Sequence, residues 1–401
     1  MDILLLGDIL DPLQSTRWQD DTHGFIRPWS DVSDPLFAIK LAEITRAILE
    51  HNPHAVGMFK RLSRAEAIRI PPAGSRGKPD FYTQERFSPK VRIHYLVGNH
   101  DWYYRLPGPA FDDIRREIVE AMGLSNSFRP FPHDPGESGL VTGLLMDYEL
   151  VARHGDIFDR FTYNHQLGRN AAALSDIYSS EVIFRFTLEI QKQLGSEISP
   201  ALLAATRQIT NVRPLLAAPV WLHNQVRAST TPTHVENQFK TVWNSVIDDF
   251  FKLDAVHTRL GQLRGGELNT LRLLLTLTRH TSFQQVADIT NWMQKNMLGS
   301  ERSIARFAQH ERDILENRAK FVVYGHTHSL ESISLDKDIP LASNASRAYI
   351  NTGSWGAFHD MATPVFNRAG QGPSNLVTCV AFYKDDERKG RKFEPWWANF
   401  A

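Results

Sequence analysis

The stretch KFVVYGHTH at 320–328 is the clearest indicator of the fold of this chain, because an apolar run ends there in a glycine loop with two histidines. Three earlier stretches have the same form: ILLLG (3–7), which Asp8 follows, IHYLVGNHD (93–101) and LLMDYELVARHGD (144–156). Short apolar runs that end in turn residues predict buried strands. Polar loops after several such strands predict an α/β fold whose site lies at the carboxyl edge of the sheet.

Two later runs, RAYINTGSW (347–355) and NLVTCVAFYKD (375–385), predict further strands near the carboxyl end. The segment 165–318 lies between two predicted strands and has apolar residues at helical spacing instead. We therefore expect a layered β-sheet core in two parts, 1–164 and 319–401. The segment 165–318 would be a large helical cap inserted between them.

Helical periodicity also occurs at 37–48, and the pair Asn52-Pro53 predicts that this helix ends there. The prolines, glycines and charges of 60–90 predict an exposed loop, and Leu273 to Leu277 are expected in an amphipathic helix. Within the cap, helices are predicted around three sets of apolar residues: Ile177 to Ile190, Val242 to Phe251, and Ile304 to Leu315.

The composition excludes several classes of protein. Lysine and arginine number 45, as do aspartate and glutamate, so the zero net charge gives no strong nucleic-acid signal. The single cysteine, Cys379, excludes an intramolecular disulfide framework and a cysteine-rich zinc module. The start MDILLLGDIL lacks the basic segment of a secretory signal, and no apolar stretch approaches the roughly 20 residues of a membrane span. We expect a cytoplasmic protein without a transmembrane segment.

Five side chains with metal-binding atoms closely follow the strand-like runs, namely Asp8, Asn99, His154, His326 and His328. Imidazole nitrogens and carboxylate oxygens suit divalent ions of intermediate softness, such as manganese, iron or zinc. Two such ions about 3.5 to 4 Å apart can clamp a phosphoryl group and activate a water. Asp8 is the candidate bridging ligand because its two oxygens diverge. His326 and His328, two residues apart in a turn, can direct their rings to two different metals.

Four blocks of the sequence resemble, in order, those of the calcineurin-like metallophosphoesterase superfamily. They are Gly7-Asp8 with Asp11, Gly98-Asn99-His100-Asp101, His154-Gly155-Asp156 and Gly325-His326-Thr327-His328. The resemblance covers about 1–160 and 318–360 and none of the helical segment. It implies an αββα-type core, two divalent ions, with manganese favoured, and hydrolysis of a phosphoester substrate. Gly98 and Gly325 are expected to allow tight turns out of their strands.

The resemblance also implies individual roles for these residues. Asn99, His154 and His326 would bind one metal together with bridging Asp8, and His328 would serve the other metal. His100 would protonate the leaving oxygen or steady the phosphate, and Asp101 would orient its ring.

The family's first block, an Asp-x-His on the preceding strand, has no counterpart in this sequence. Asp8-Ile9-Leu10 does not fit it, because Leu10 cannot bind a metal. We favour a recorded start downstream of the natural one, since the other blocks are intact, over a degenerate second metal site. As written, only Asp8 and His328 would hold the second metal, which predicts weak occupancy and low activity. The alternative function is a binding or regulatory protein that keeps the framework and contacts a partner through its cap.

Other residues have open interpretations. Asp11 either supports the site or caps a turn, and Asp156 and Asp159 either orient His154, face the substrate or have structural roles. Residues 351–355 lie either near the phosphate or in a turn of the sheet. His133 is interpreted as an ordinary residue, and Trp396 and Trp397 as core or edge packing rather than a binding platform. The blocks are similar to those of bacterial UDP-diacylglucosamine pyrophosphohydrolases, but the cap is larger, so phosphomonoester, phosphodiester and pyrophosphate substrates all stay open.

Overall fold

The structure is a computed structural model that describes residues 1–22, 24–74, 79–159, 161–213, 215–229, 232–262, 304–336, 347–360, 376–384 and 387–399. Its α-helices are α1 (Pro35–His51), α2 (Pro53–Ser63), α3 (Pro109–Met122), α4 (Gly139–Asp147), α5 (Leu174–Tyr178), α6 (Arg185–Leu194), α7 (Pro200–Arg207), α8 (Ala218–Ala228), α9 (Thr233–Lys252), α10 (Asp254–Gln262), α11 (Ile304–Ala308) and α12 (Arg312–Leu315). Its strands are β1 (Asp2–Leu6), β2 (Arg92–Leu96), β3 (Leu150–Ala152), β4 (Val212–Arg213), β5 (Phe321–Tyr324), β6 (Leu330–Ser334), β7 (Ala348–Thr352), β8 (His359–Asp360), β9 (Leu376–Phe382) and β10 (Phe393–Asn399).

The strands form small sheets that are mostly parallel. Strand β1 pairs with β2 in parallel, and β3, β5 and β7 form a parallel set that β6 extends in the antiparallel sense. Strands β9 and β10 form an antiparallel pair, and β4 and β8 form a short parallel one. Parallel strands require long crossover connections, which helices supply between β1 and β2 and between β3 and β5. The chain is therefore a mixed α/β protein, as the sequence predicts.

The first two sheets share a hydrophobic core. Leu96 of β2, Ala152 of β3, Val323 of β5 and Ile350 of β7 are buried in one cluster, and the partly buried Leu6 of β1 packs against it. Their carboxyl ends lie at one edge, because His154, after β3, contacts the Leu6 carbonyl of β1, Asn99 after β2 and His326 after β5. The polar loops after β1, β2, β3 and β5 meet there.

Helix α1 shows how local signals produce the predicted boundaries. Asp34 accepts a hydrogen bond from the Leu36 amide at 2.9 Å, and Pro35 occupies the first helical position. Asn52 follows the last helical residue, and Pro53 begins α2, since proline is tolerated at a helix start. The buried face of α1, which includes Phe37 and Leu41, joins Ile93 and Tyr95 of β2 in a second hydrophobic cluster. The predicted end of this helix is confirmed.

Residues 174–260 have a hydrophobic cluster of their own. Helices α5 and α6 are joined by a π-helical segment at Ser179–Phe184, so Ile177 and Ile190 lie in one continuous helical stretch, as predicted. This stretch packs on the amino-terminal part of the chain. The Gln19 amide donates to Ser180, and Arg27 pairs with Glu181 at 3.4 Å.

Several predicted elements differ from the structure. The run 144–156 is predicted as a strand, but only residues 150–152 form one. Residues 144–147 belong to α4, a helix that Ser138 caps at its amino end. The loop predicted at 60–90 begins after Ser63, where α2 ends. The segment Ile304 to Leu315 contains two short helices, α11 and α12, rather than one.

Other expectations concern the end of the chain or stay predictions. Trp396 and Trp397 are 52% and 68% exposed, so neither is a core residue. Leu273 to Leu277 lie outside the described residues. The limits 1–164, 165–318 and 319–401 stay predictions. Among the described residues, no helix is long and apolar enough to cross a bilayer.

Candidate metal centre

Two glycines let the four loops approach one another. A side-chain carbon on Gly98 would overlap Asp8 Oδ1 and lie 2.8 Å from the His154 ring. Gly7 has a φ of +86°, and a carbon there would lie 2.7 Å from His154 Nδ1. Close packing against Asp8 and His154 therefore requires glycine at 98, where φ is not left-handed. Gly325 has only ordinary contacts around such a carbon, and its φ is not left-handed either.

Four of the predicted ligands meet at one point. His154 Nε2 lies 3.2 Å from Asp8 Oδ2, 3.0 Å from Asn99 Oδ1 and 3.2 Å from His326 Nδ1. Asn99 and His154 are only 4% and 3% exposed, so little water reaches these atoms. The cluster thus brings together one carboxylate, one amide and two imidazoles from the loops after four strands.

The outer hydrogen bonds of the two rings fix their tautomers. His154 Nδ1 lies 2.7 Å from the Leu6 carbonyl, which can only accept, so Nδ1 carries the proton. His326 Nε2 lies 3.3 Å from Asp159 Oδ2, which places the proton on that nitrogen. In the neutral rings, His154 Nε2 and His326 Nδ1 therefore present lone pairs to each other. Ligand histidines are held in the same way at metal centres.

The electrostatics of the cluster favour positive charge at its centre. Burial disfavours a charged His154, yet the Asp8 carboxylate raises the pKa of this ring to about 10. Burial likewise opposes ionisation of Asp8, but the charged rings of His154 and His100 hold its pKa well below its usual range. Lone pairs and a carboxylate that converge in this way can be satisfied by a proton or by a cation.

The separations also suit a shared cation. Donor atoms bound about 2.1 Å from one ion are themselves about 3.0 to 3.4 Å apart, the range found around His154 Nε2. Among the described residues, no group of three or more histidine, cysteine or acidic side chains is arranged to hold a metal ion. The cluster around His154 also includes the amide oxygen of Asn99. These residues fit a divalent ion with mixed nitrogen and oxygen ligands.

His100 is held at this cluster by two aspartates. Its backbone N–H donates to Asp8 Oδ1 at 2.8 Å, and its Nδ1 lies 2.9 Å from Asp11 Oδ1. Burial disfavours the charged ring, but the carboxylates of Asp11 and Asp8 raise the pKa of His100 to about 9. Asp11 also accepts the Gln14 amide at 3.3 Å, so it caps a turn and supports the site at once.

Asp101 has a different role from the one implied by the resemblance. Its oxygens accept the Gly98 amide at 2.6 Å, the Ile9 amide at 2.9 Å and the Tyr95 hydroxyl at 2.5 Å. Asp101 therefore ties together the loops after β1 and β2, and Asp11 contacts the His100 ring in its place. Burial and the nearby Asp8 raise the pKa of Asp101 to about 6.

His328 lies near the cluster without joining its closest contacts. Asp8, Asp11 and His328 all have left-handed φ angles, between 48° and 62°, which non-glycine residues adopt rarely. Burial and the charge of Arg213 hold the pKa of His328 well below its usual value, so the ring is neutral. A neutral ring is the form that binds metals.

Behind His154 lies a buried pair that the sequence does not indicate. His133 Nε2 lies 2.9 Å and 3.0 Å from the two oxygens of Asp156, and both side chains are buried. Arg169 reaches the same nitrogen at 2.8 Å and pairs with Asp134 at 2.6 Å. Asp156 thus orients His133, and its charge favours the charged form of His154. His133 does not follow a strand-like run, so no local signal marks it.

The stretch 351–355 is explained by the sheet. Asn351 is fully buried, donates to the Tyr349 hydroxyl at 3.2 Å and accepts the Gly353 amide at 3.0 Å. Trp355 donates its indole N–H to the Thr378 carbonyl at 2.5 Å. These contacts fit the interpretation of the segment as a turn of the sheet.

No family model, curated protein or solved structure matches the chain. The resemblance to the superfamily therefore rests on the four sequence blocks.

Proposed function

We propose that the chain is a metal-dependent phosphoesterase, which hydrolyses a phosphomonoester, phosphodiester or pyrophosphate with metal-activated water. The observation that carries the proposal is the convergence of Asp8, Asn99 and His326 on His154 Nε2, while each ring turns its protonated nitrogen outward. We include in this proposal the layered αββα core of the calcineurin-like metallophosphoesterase superfamily.

The proposed ligands divide between two divalent ions, with manganese favoured over iron or zinc. Asp8, Asn99, His154 and His326 would hold one ion, and His328 would hold the second together with Asp8. When bound, the ions supply Lewis-acid stabilisation of developing charge and activation of water. Asp159 orients the His326 ring through Nε2.

His100 is the proposed proton donor to the leaving oxygen. Its ring is held through Nδ1 by Asp11, which leaves Nε2 as the nitrogen that faces a substrate. The raised pKa keeps this ring protonated near neutral pH, as a general acid requires. Asp8 fixes the backbone of the same residue, so the metal ligand and the acid are held in one arrangement.

The experiment is metal analysis followed by a substrate panel. The purified chain is incubated with manganese, iron(II) or zinc, desalted and analysed for bound metal. It is then assayed with p-nitrophenyl phosphate, bis-p-nitrophenyl phosphate and a nucleoside diphosphate sugar as pyrophosphate. We expect bound manganese and slow hydrolysis of at least one of these substrates, because the second ion would have only Asp8 and His328 as ligands.

Variants separate the proposed roles. His154→Gln should lose metal and activity together, whereas His100→Gln should keep metal and lose activity by about 10²-fold or more. The matched control is His310→Gln, because His310 is exposed, lies in the turn after α11 and contacts the Arg306 carbonyl through its ring. A chain that binds metal but cleaves none of the substrates would contradict the proposal and support the binding or regulatory alternative.

A further inference from the structure

The end of α2 and the loop that follows it carry a concentration of positive charge that the neutral balance of the whole chain conceals. Residues 60–74 and 79–92, here called the basic ribbon, contain seven basic and three acidic side chains, whereas the whole chain has 45 of each. Five of the basic side chains are exposed: Arg61, Arg64, Arg69, Arg86 and Lys90. Among the described residues these five form no ion pair, and two of them donate to backbone carbonyls instead. Their charges are therefore open to an anionic partner.

Backbone hydrogen bonds connect the parts of the basic ribbon. The Val91 amide donates to the Leu62 carbonyl at 3.2 Å, which joins the start of β2 to the end of α2. Farther along the loop, Ile70 and Phe87 form an antiparallel bridge, in which each amide donates to the other carbonyl at 2.8 Å. Arg69 and Arg86 adjoin this bridge in the chain, so the basic side chains from both arms of the loop are held close to one another.

The basic ribbon also exposes large apolar side chains. Ile70 and Phe87 are both exposed, and because they are paired across the bridge they lie side by side on one face. Phe81 and Tyr82 are 71% and 100% exposed. Apolar side chains grouped among charges at a surface mark an interaction site more often than single exposed ones do. The ribbon thus combines unpaired positive charge with apolar and aromatic groups that water solvates poorly.

The basic ribbon lies away from the candidate metal centre. It leads into β2 at Arg92, whereas Asn99 and His100 follow the other end of this strand. A strand of this length spans about 16 Å. A partner bound to the ribbon therefore contacts a different part of the molecule, and the inference below does not depend on the phosphoesterase function.

We propose that the basic ribbon binds the surface of an anionic phospholipid membrane. Arginine and lysine are attracted to the negative charge of such a surface, and exposed apolar side chains enter the boundary between headgroups and acyl chains. Tyr82 suits this boundary, because its ring can enter the apolar layer while its hydroxyl stays among the headgroups. Ile70 favours lipid over nucleic acid, since an aliphatic side chain enters an acyl layer but cannot stack on a base as an aromatic ring does.

The test is sedimentation of the full chain with two kinds of vesicle. One is phosphatidylcholine alone, and the other contains about one third phosphatidylglycerol, which is anionic. Binding is measured at about 0.1 M and about 0.5 M salt, because salt screens the attraction between exposed charges. Binding of a fluorescently labelled single-stranded oligonucleotide is measured in parallel, and the melting temperature is recorded for every variant.

Two double variants remove the two components of the basic ribbon separately. Arg69→Gln/Arg86→Gln removes charge, and its control is Arg129→Gln/Arg207→Gln, which removes two exposed arginines elsewhere. The variant Phe81→Ser/Tyr82→Ser removes the aromatic side chains. Its control changes two other exposed apolar residues outside the ribbon, Leu140→Ser/Met146→Ser.

We expect wild type to bind the phosphatidylglycerol vesicles at the lower salt concentration, to bind them less at the higher one, and not to bind phosphatidylcholine alone. Arg69→Gln/Arg86→Gln should weaken binding about 25-fold, because each basic residue near an anionic surface contributes about 5-fold. Phe81→Ser/Tyr82→Ser should weaken it about 10-fold or more, since burial of apolar side chains is lost. Both controls should bind as wild type does, and the melting temperature of each ribbon variant should be unchanged.

Three results would overturn the inference. One is a wild type that does not bind the anionic vesicles or binds both kinds of vesicle equally. Another is vesicle binding by either ribbon variant equal to that of its control, which would place the contact elsewhere. The third is binding of the oligonucleotide but not of the vesicles, with loss of that binding in Arg69→Gln/Arg86→Gln, which would make nucleic acid the partner. All three would leave the phosphoesterase proposal as it stands.

Discussion

Asp176 offers a direct test of how the helical segment is attached to the rest of the chain. Its carboxylate is 1% exposed and accepts hydrogen bonds from the Ala173 amide at 3.0 Å and the Trp102 indole at 3.2 Å. Burial raises the pKa of Asp176 from 3.8 to about 7, which outweighs these hydrogen bonds. The folded chain therefore holds a proton on Asp176 between about pH 4 and pH 7, where the unfolded chain has lost it.

The sign follows from this difference in bound protons. Stability from this group is greatest below pH 3.8 and falls as the pH rises to about 7. A shift of about 3 units corresponds to about 4 kcal/mol, of which relaxation of the buried site recovers part. The substitution Asp176→Asn keeps an oxygen acceptor for the Ala173 and Trp102 N–H groups and removes the charge. We therefore expect Asp176→Asn to be more stable than wild type at pH 8. Its stability relative to wild type should be about 2 kcal/mol greater at pH 8 than at pH 5.

The assay is urea unfolding at pH 5, 6, 7 and 8, followed by tryptophan fluorescence. The control is Asp249→Asn in the same helical segment, because Asp249 is half-buried and pairs with Arg185 at 2.6 Å. Arg185 and Lys252 help to lower the pKa of Asp249 against the effect of burial, so this variant should lose a few tenths of a kcal/mol at both pH values. An equal difference between Asp176→Asn and wild type at pH 5 and pH 8 would refute the reasoning.

Three further predictions concern the site. Asp11→Ala should lower kcat about 10²-fold with metal content unchanged, because His100 loses the partner of its Nδ1; an equal fall in bound manganese would show that Asp11 supports the metal instead. Gly98→Ala should abolish metal binding, since its methyl group would overlap Asp8 and crowd His154. Gly143→Ala in α4, where nothing lies within 4 Å, should keep metal binding and gain about 0.5 to 1 kcal/mol of stability. Manganese at 100 times its dissociation constant should stabilise the wild type by about 2.7 kcal/mol, as measured by thermal unfolding. The stability of His154→Gln should not change. Equal stabilisation of both proteins would show that the ion binds elsewhere.

The strands that carry the site can be predicted because their signals are local. Strands β1, β2 and β5 each begin and end within a few residues of the apolar runs that predict them. Asp8, Asn99 and His326 follow these strands directly, and the structure brings them to His154. Strand β6, LESIS, and strand β10, FEPWWAN, are not predicted, because neither contains a continuous apolar run.

Local patterns are misleading where a competing signal is stronger. The run LLMDYELVA is typical of a strand, but the Ser138 hydroxyl caps α4 by accepting the Val141 amide at 3.4 Å. The residue type alone predicts a turn role for Gly98. The structure shows that glycine is needed there because a side chain would collide with Asp8 and His154, which are far away in sequence. A short apolar run cannot by itself distinguish a buried helix from a buried strand.

The sequence by itself determined the α/β class and the residues that stand at the ends of the parallel strands, because strand period and turn residues act over a few positions. Only the tertiary structure decided which partner each side chain finds. Asp11 rather than Asp101 contacts the His100 ring, His133 pairs with Asp156, and β4 of the helical segment pairs with β8. These contacts join residues far apart in the chain, so they depend on how loops close and cores pack, which no local pattern encodes.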